Sequence, residues 1–203
     1  MRSRPLSTAE AARAYFADDA RSNHERMLAG DLYLSDDPTI AQRQADAVRA
    51  VAHFESAYRE DPAGAQELLR DLLGSVGAEA FLRAPLYLDY GSNIHIGART
   101  FVNNGLTTAD VAEIRIGDDC QIGPHVQLLT PTHPIDPQQR LDKLEAAEPI
   151  TIGDNVWLGG GVIVCPGVSI GRDSVVGAGS VVTRDVPAGV VAVGNPARVI
   201  RTI

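Results

Sequence analysis

The chain is poor in several things, and each shortage removes a class of function. Aromatic residues make up 5% of its 203 residues, with a single tryptophan. No stretch approaches the roughly 20 apolar residues of a membrane-spanning helix, and the amino-terminal MRSRPLSTAEAARAY lacks the apolar run of a signal peptide. A soluble, cytoplasmic protein without a membrane partner is the expectation. Basic residues are the minority, 18 Lys and Arg against 26 Asp and Glu, for a formal charge of −8. A nucleic-acid binder usually shows a basic stripe, so no nucleic-acid partner is expected. The two cysteines, Cys120 and Cys165, offer neither metal-ligand spacing nor a disulfide framework. The five histidines are not grouped as ligands, which argues against a metal-dependent hydrolase and leaves no metal expected. There is also no nucleophilic serine elbow, no phosphate-cradling Gly-Lys-Ser/Thr loop and no dinucleotide fingerprint.

What is present in quantity is glycine and valine, in a fixed order. Over residues 150–187 an aliphatic recurs at every sixth position: Ile152, Leu158, Val164, Ile170, Val176 and Val182. Gly153, Gly159, Gly171 and Gly177 follow four of them, and a small or β-branched residue comes four places after each aliphatic. Helices repeat at about 3.6 and strands at 2, so a period of six marks a solenoid whose stacked coils bury a continuous core. The physical reading is a triangular β-helix with six-residue sides. Its aliphatics point inward, and glycine or another small residue helps turn each corner. Cys120 and Cys165 fall inside this pattern as buried or corner thiols. Upstream, the hexads begin at Tyr90-Gly91, Ile96-Gly97 and Val102 and resume at Ile116-Gly117, Ile122-Gly123 and Leu128. The six-residue spacing is expected to run from Tyr90 through Leu128, with Thr108 on a coil side. Residues 129–149, LTPTHPIDPQQRLDKLEAAEP, break the pattern, which resumes at Ile152. An insertion of this length on a rigid scaffold reads as a functional loop.

The first third reads as helix. Residues 7–30 carry a capping signal at Ser7 or Thr8 with Glu10, and Gly30 can close the helix. A second helix is expected from about Thr39 to Glu60, with an apolar stripe of Ile40, Ala47, Val48, Val51 and Phe54. A third runs from about Ala63 to Leu73 and stops at Gly74. After Pro187, Val190, Val191, Val193, Val199 and Ile200 read as a closing strand and a segment capping the last coil.

Few residues are placed to do chemistry. His24 and His53 read as surface or packing residues, and His95 and His125 as outward-facing. His133 differs: it lies in Thr130-Pro131-Thr132-His133-Pro134, where the solenoid breaks, and two prolines stiffen the backbone around it. Imidazole titrates near neutrality and suits the removal of a proton from a hydroxyl. Chemistry alone leaves both a functional and a solvated reading of His133 open. Asp136 and the acidic LDKLEAAE read as solvated loop. Trp157 faces outward, as a stacking platform or an interface residue. Arg184, Arg198 and Arg201 gather near the end of an acidic chain, where guanidinium groups suit a phosphorylated ligand.

These residues resemble a known family. The hexads, the Thr-His-Pro-Ile-Asp-Pro loop, Ile152-Gly153-Asp154-Asn155-Val156-Trp157-Leu158-Gly159 and Gly194-Asn195-Pro196-Ala197-Arg198 are similar to the hexapeptide-repeat acyltransferases. Met27-Leu28-Ala29-Gly30-Asp31-Leu32-Tyr33 and Asp89-Tyr90-Gly91-Ser92-Asn93-Ile94 narrow this to the maltose, galactoside and nodulation sugar O-acetyltransferases. The resemblance implies an extension at 1–23, helical or partly disordered, a helical segment at 24–80, and a left-handed parallel β-helix at 81–203 with a projecting loop at 129–149. It implies a homotrimer with sites between subunits and acetyl-CoA as co-substrate. It makes His133 the general base, and Asn103 the residue that orients the acceptor or stabilises the oxyanion. Asp37, Asp89, Phe101, Asn103 and Asp110 would line the acceptor side, and Trp157, Gly160, Ala178, Thr183, Arg184, Arg198 and Arg201 would follow the coenzyme. Three positions depart from the family: Phe101 for a common tyrosine, Gln44 beside Arg43 for an arginine, and Glu55 for an asparagine. All three touch the acceptor side or the helical segment, so the resemblance supports the donor better than any named sugar. The rival readings are an acetyltransferase of antibiotics or other hydroxylated metabolites and a non-catalytic β-helical scaffold.

Overall fold

A computed structural model describes residues 4–203, so the first three residues of the expected extension lie outside the described chain. The hexads form a prism with three sides, each a sheet of short strands stacked in parallel. The first side holds Ser75–Val76, Ile94–Ile96, Ile114–Ile116, Ile150–Ile152 and Ser169–Ile170. The second holds Phe81–Leu82, Phe101–Val102, Gln121–Ile122, Trp157–Leu158, Val175–Val176 and Val190–Val193, with Arg198–Thr202 added antiparallel at its end. The third holds Leu86–Leu88, Leu106–Ala109, Gln127–Leu129, Ile163–Val164 and Val181–Val182.

Register explains why one residue type recurs. Ile116, Ile152 and Ile170 stack in one inward column, Ile122, Leu158 and Val176 in a second, and Leu128, Val164 and Val182 in a third. All are buried. Fully burying such a side chain is worth about 1.5–3 kcal/mol, so the columns supply most of the driving force for coiling. Thr108 takes an inward place between Leu88 and Leu128, as its position in the chain implied.

The expected spacing fails in the upper coils. Ile152 pairs with Ile170, eighteen residues on, as three six-residue sides require. Ile96 pairs with Ile116, Val102 with Ile122 and Thr108 with Leu128, each twenty residues on. The surplus lies wholly on the edge between the third and first sides, after Leu88 and after Thr108. Tyr90 therefore belongs to this edge rather than to an inward hexad column.

The corner glycines also act differently from expectation. At the edge between the first and second sides, the left-handed conformation is taken by Glu79, Arg99, Asp119, Asn155 and Asp173, with φ between 54° and 61°. Gly153 is needed for close stacking instead: a Cβ there would lie 2.7 Å from the backbone nitrogen of Arg172 on the next coil.

The helical region is more broken than its composition indicates. Two helices stand where one was expected, α1 (Thr8–Tyr15) and α2 (Asn23–Leu28), each opened by a Ser-Glu capping box. The second box, Ser22 with Glu25, starts a new helix and so interrupts the first. α3 (Pro38–Glu60) buries Ile40, Ala47 and Phe54, while Val48 is 64% exposed and drops out of the expected stripe. The third expected helix divides into a 3₁₀ turn, Gly64–Glu67, and α4 (Leu68–Leu72). Leu69, Leu72 and Leu73 close the top of the solenoid core.

Candidate active site

Five of the residues singled out from the sequence come together on the second side. A groove of about 450 Å³ runs across its strands and is lined by Phe101, Asn103, Trp157, Gly160 and Ala178, together with Gln121, Pro124 and Val175. Outward positions build it: Trp157, 56% exposed, stands in register between Gln121 and Val175. Glycine keeps its floor low. A Cβ on Gly159 would lie 2.5 Å from the backbone nitrogen of Ala178. The same outward row continues through Val191 to Arg201. Arg198 is exposed on the same closing strand, and Thr183 and Arg184 are exposed just beyond Val181–Val182; none of the four lines the groove. Among the described residues Arg184, Arg198 and Arg201 have no carboxylate partner.

At one end of the groove, the Oδ1 of Asn103 accepts hydrogen bonds from Arg83 Nη1 at 3.1 Å and from the Asn104 amide at 2.9 Å. The carboxamide oxygen is thus engaged, and the NH₂ group is the end left to donate. Arg83 was not foreseen. The available signal was its place two residues after Phe81, matching the place of Asn103 after Phe101 in the next coil. Phe101 stacks on Phe81 with centroids 6.4 Å apart and ring planes at 8°, which fixes the ring on this side of the groove.

A second group lies on the edge between the third and first sides. Asp110 is fully buried; its Oδ1 accepts from the amides of Asp89 at 2.9 Å and Tyr90 at 3.1 Å, while Oδ2 has no hydrogen-bond partner among the described residues. Burial pushes its carboxyl up. Asp89 is pushed up to about 6, by burial first and then by the charges of Asp110 and Glu145. The Tyr33 hydroxyl donates to Glu145 Oε2 at 2.9 Å, and burial together with Glu145 holds its proton firmly. Burial also lifts Tyr90 to about 12. Tyr33, Tyr90 and Glu145 were all missed, Glu145 because its acidic segment reads as solvated loop.

That reading of the loop holds for Asp136, which is exposed, and is corrected by the structure for the segment that follows. Asp142, Leu144 and Ala147 are buried, and Asp136 caps α5 (Pro137–Leu141). The returning strand Leu144–Ala147 pairs with Tyr33–Leu34 on one side and with Pro131–Thr132 on the other. His133 follows directly, exposed, and Arg140 Nη1 donates to the carbonyls of Pro134 at 2.8 Å and Ile135 at 3.2 Å. His133 leaves the prism between the third and first sides, whereas Asn103 lies between the second and third. One chain does not bring them together. Asp37 caps α3, accepting from the amides of Thr39 and Ile40. Gln44 is exposed, while Arg43 reaches Ser92 Oγ at 2.8 Å on the first coil. Among the described residues no group of three His, Cys, Asp or Glu side chains is placed to hold a metal ion, and no helix is long and apolar enough to cross a membrane.

Residues 26–77 match the maltose acetyltransferase hexapeptide capping motif, and residues 149–184 match six repeats of the bacterial transferase hexapeptide. Nodulation protein L of Rhizobium meliloti (strain 1021) is 47% identical over 182 residues, covering 88% of this chain and 98% of that protein. The chain belongs to the hexapeptide-repeat acetyltransferases. Among solved acetyltransferases, a maltose O-acetyltransferase from Clostridium difficile 630 superimposes with a TM-score of 0.88 at 42% identity, over 91% of this chain and 99% of that one. A hexapeptide-repeat acetyltransferase from Vibrio cholerae O1 biovar eltor, in complex with acetyl coenzyme A, gives 0.82 at 36% identity, over 90% and 98%.

Proposed function

We propose that this acetyltransferase moves an acetyl group from acetyl-CoA to a hydroxyl of a sugar or sugar-like acceptor by direct attack. The groove on the second side is long, shallow and mostly apolar, which suits an extended pantetheine arm. Trp157 provides a face to pack on it. Arg201, in the same outward row, with Arg184, Arg198 and Thr183 nearby in the last coils, would meet the phosphates. His133 takes the proton from the acceptor hydroxyl as its oxygen bonds to the thioester carbonyl. The NH₂ group of Asn103 donates to the oxyanion of the tetrahedral intermediate. The carbon–sulfur bond then breaks, the imidazolium returns its proton to the leaving thiolate, and ester and coenzyme A are released. Holding both reactants side by side supplies much of the rate. Asp89 and Glu145 would accept hydrogen bonds from acceptor hydroxyls, with the buried Asp110 behind them holding the Asp89–Tyr90 backbone in place. Asp37, and Phe101 of the copy that supplies Asn103, would border them.

The observation that carries this reading is the placement of His133 and Asn103 on different edges of one prism. A site using both needs His133 of one copy beside Asn103 of another, as in a cyclic trimer with three shared sites. The test is subunit complementation. His133→Ala and Asn103→Ala should each release little thiol from acetyl-CoA with any sugar of a panel. Mixed trimers reassembled from the two variants should regain activity, because some sites then hold both side chains. Substantial activity in His133→Ala alone would remove the general base, and no recovery on mixing would remove the shared site.

A further inference from the structure

Residues 4–22 precede the segment matched by the capping motif and have no part in the site as described. They are nevertheless tied down along their length. Ala11 is fully buried, packed with Leu34 and Leu144, and Leu6, Tyr15 and Phe16 pack around it. The Thr8 hydroxyl donates to Asp36 Oδ2 at 2.7 Å. At the far end, the buried guanidinium of Arg26 lies 4.0 Å from the Phe16 ring centroid and donates to Asp19 Oδ2 at 3.0 Å and to the Asp19 carbonyl at 2.7 Å. The middle reaches the loop. The Leu6 amide donates to Asp142 Oδ1 at 2.9 Å and the Tyr15 hydroxyl to Asp142 Oδ2 at 2.8 Å, across more than 120 positions of sequence.

We propose that this amino-terminal segment is a strap that positions the His133 loop, with Tyr15 and Asp142 as positioning residues; the inference rests on His133 being the general base. Asp142 directly follows α5, and Gln138 of α5 donates to its Oδ1 at 3.1 Å. Arg140 of the same helix holds the carbonyls of Pro134 and Ile135, the two residues after His133. A continuous set of hydrogen bonds thus runs from α1 through Asp142 and α5 to the backbone beside the imidazole. Leu144, two residues beyond Asp142, shares the buried cluster of Ala11. A projecting loop would otherwise spend conformational entropy each time it presents His133 to the acceptor. A strap that has already ordered it keeps the imidazole in the attacking geometry.

The test uses full-length Tyr15→Phe and Asp142→Asn, together with a chain lacking residues 2–17, which keeps Asp19 for Arg26. Hydrogen exchange read over residues 133–147 requires no acceptor. Thiol release from acetyl-CoA is measured with the sugar that wild type acetylates fastest. Exchange in the loop should speed up by about tenfold. The kcat should fall by about tenfold, while KM for acetyl-CoA and the melting temperature of the solenoid hold, since misplacing a reacting group costs rate rather than donor affinity. Unchanged loop exchange in Tyr15→Phe and Asp142→Asn overturns the strap. Faster exchange with kcat unchanged overturns its positioning role. Activity retained by His133→Ala would instead sink the general-base reading, leaving the exchange result to decide the strap by itself.

Discussion

On the second side of the prism, Val102, Ile122, Leu158 and Val176 stack in register and the outward face forms a shallow apolar groove. Across the molecule, on the edge between the third and first sides, the same repeat is interrupted in three successive coils. The first interruption holds Asp89 and Tyr90, the second Asp110, and the third the loop with His133 and Glu145. One coil lower, where Val164 leads to Ile170 six residues on, the edge has no surplus and carries no carboxylate or imidazole. Regular stacking provides a rigid wall for an extended ligand. Each extra residue at the edge releases backbone from the ladder and lets a polar side chain gather where a second reactant can be held.

The largest way to break this contrast is His133→Ala. General-base loss should lower kcat by roughly 100- to 10,000-fold. The melting temperature should stay put, because the side chain is exposed. A variant that also melted early would show that the loop belongs to the scaffold. Gly159→Val probes the other half. Its Cβ meets the backbone of Ala178, which cannot move aside as a side chain could. Denaturant unfolding should report a loss of about 3 kcal/mol, at the upper end for overpacking. Trp157→Ala should be milder. More than half of the indole is exposed, so stability should hold, while KM for acetyl-CoA rises about tenfold, the loss of one stacking platform. A change in acceptor KM instead would move Trp157 out of the donor wall.

The two regions differ in how far they can be read from the chain. The wall was legible: six aliphatics at a constant interval have one stacking solution, and the outward place of Trp157 follows from the inward place of Leu158. The edge was only half legible. His133 stood out because prolines flank it, and Asp89 and Asp110 came by resemblance. Glu145 and Asp142 lie in a segment whose charge implied solvent; their burial depends on pairing with Tyr33–Leu34 and on α1, contacts across more than a hundred residues that local composition does not encode. The first twenty-residue coil was missed because Tyr90 and Ile96 are themselves six apart, which hides a two-residue surplus lying just before them; the second was open to view, since Thr108 and Ile116 lie eight apart.

The smallest effect sharpens the contrast electrostatically. The column of aliphatics behind the wall has no ionisable group to make its stability depend on pH, whereas Asp89 faces Asp110, Glu145, Tyr33 and Tyr90, the last of which also feels the cation of Arg43. An aspartate in an unfolded chain ionises near 3.9; Asp89 in the folded chain does so at about 6. Between those values the folded chain keeps a proton that the unfolded chain has lost. The contribution of Asp89 to stability is therefore fully present below about pH 4, declines as the pH rises toward 6, and stays lost above it. Asp110, also pushed up by burial, adds in the same direction. Asp89→Asn cannot ionise, so it should match wild type at pH 4 and exceed it at pH 8 by ~1 kcal/mol, a value discounted for partial exposure. Melting temperatures of the two proteins across pH 4 to 8 make the comparison. Parallel curves would mean that the edge tolerates the Asp89 charge as readily as solvent does; converging curves at low pH would identify the acidic edge as the place where stability has been given up to hold an acceptor.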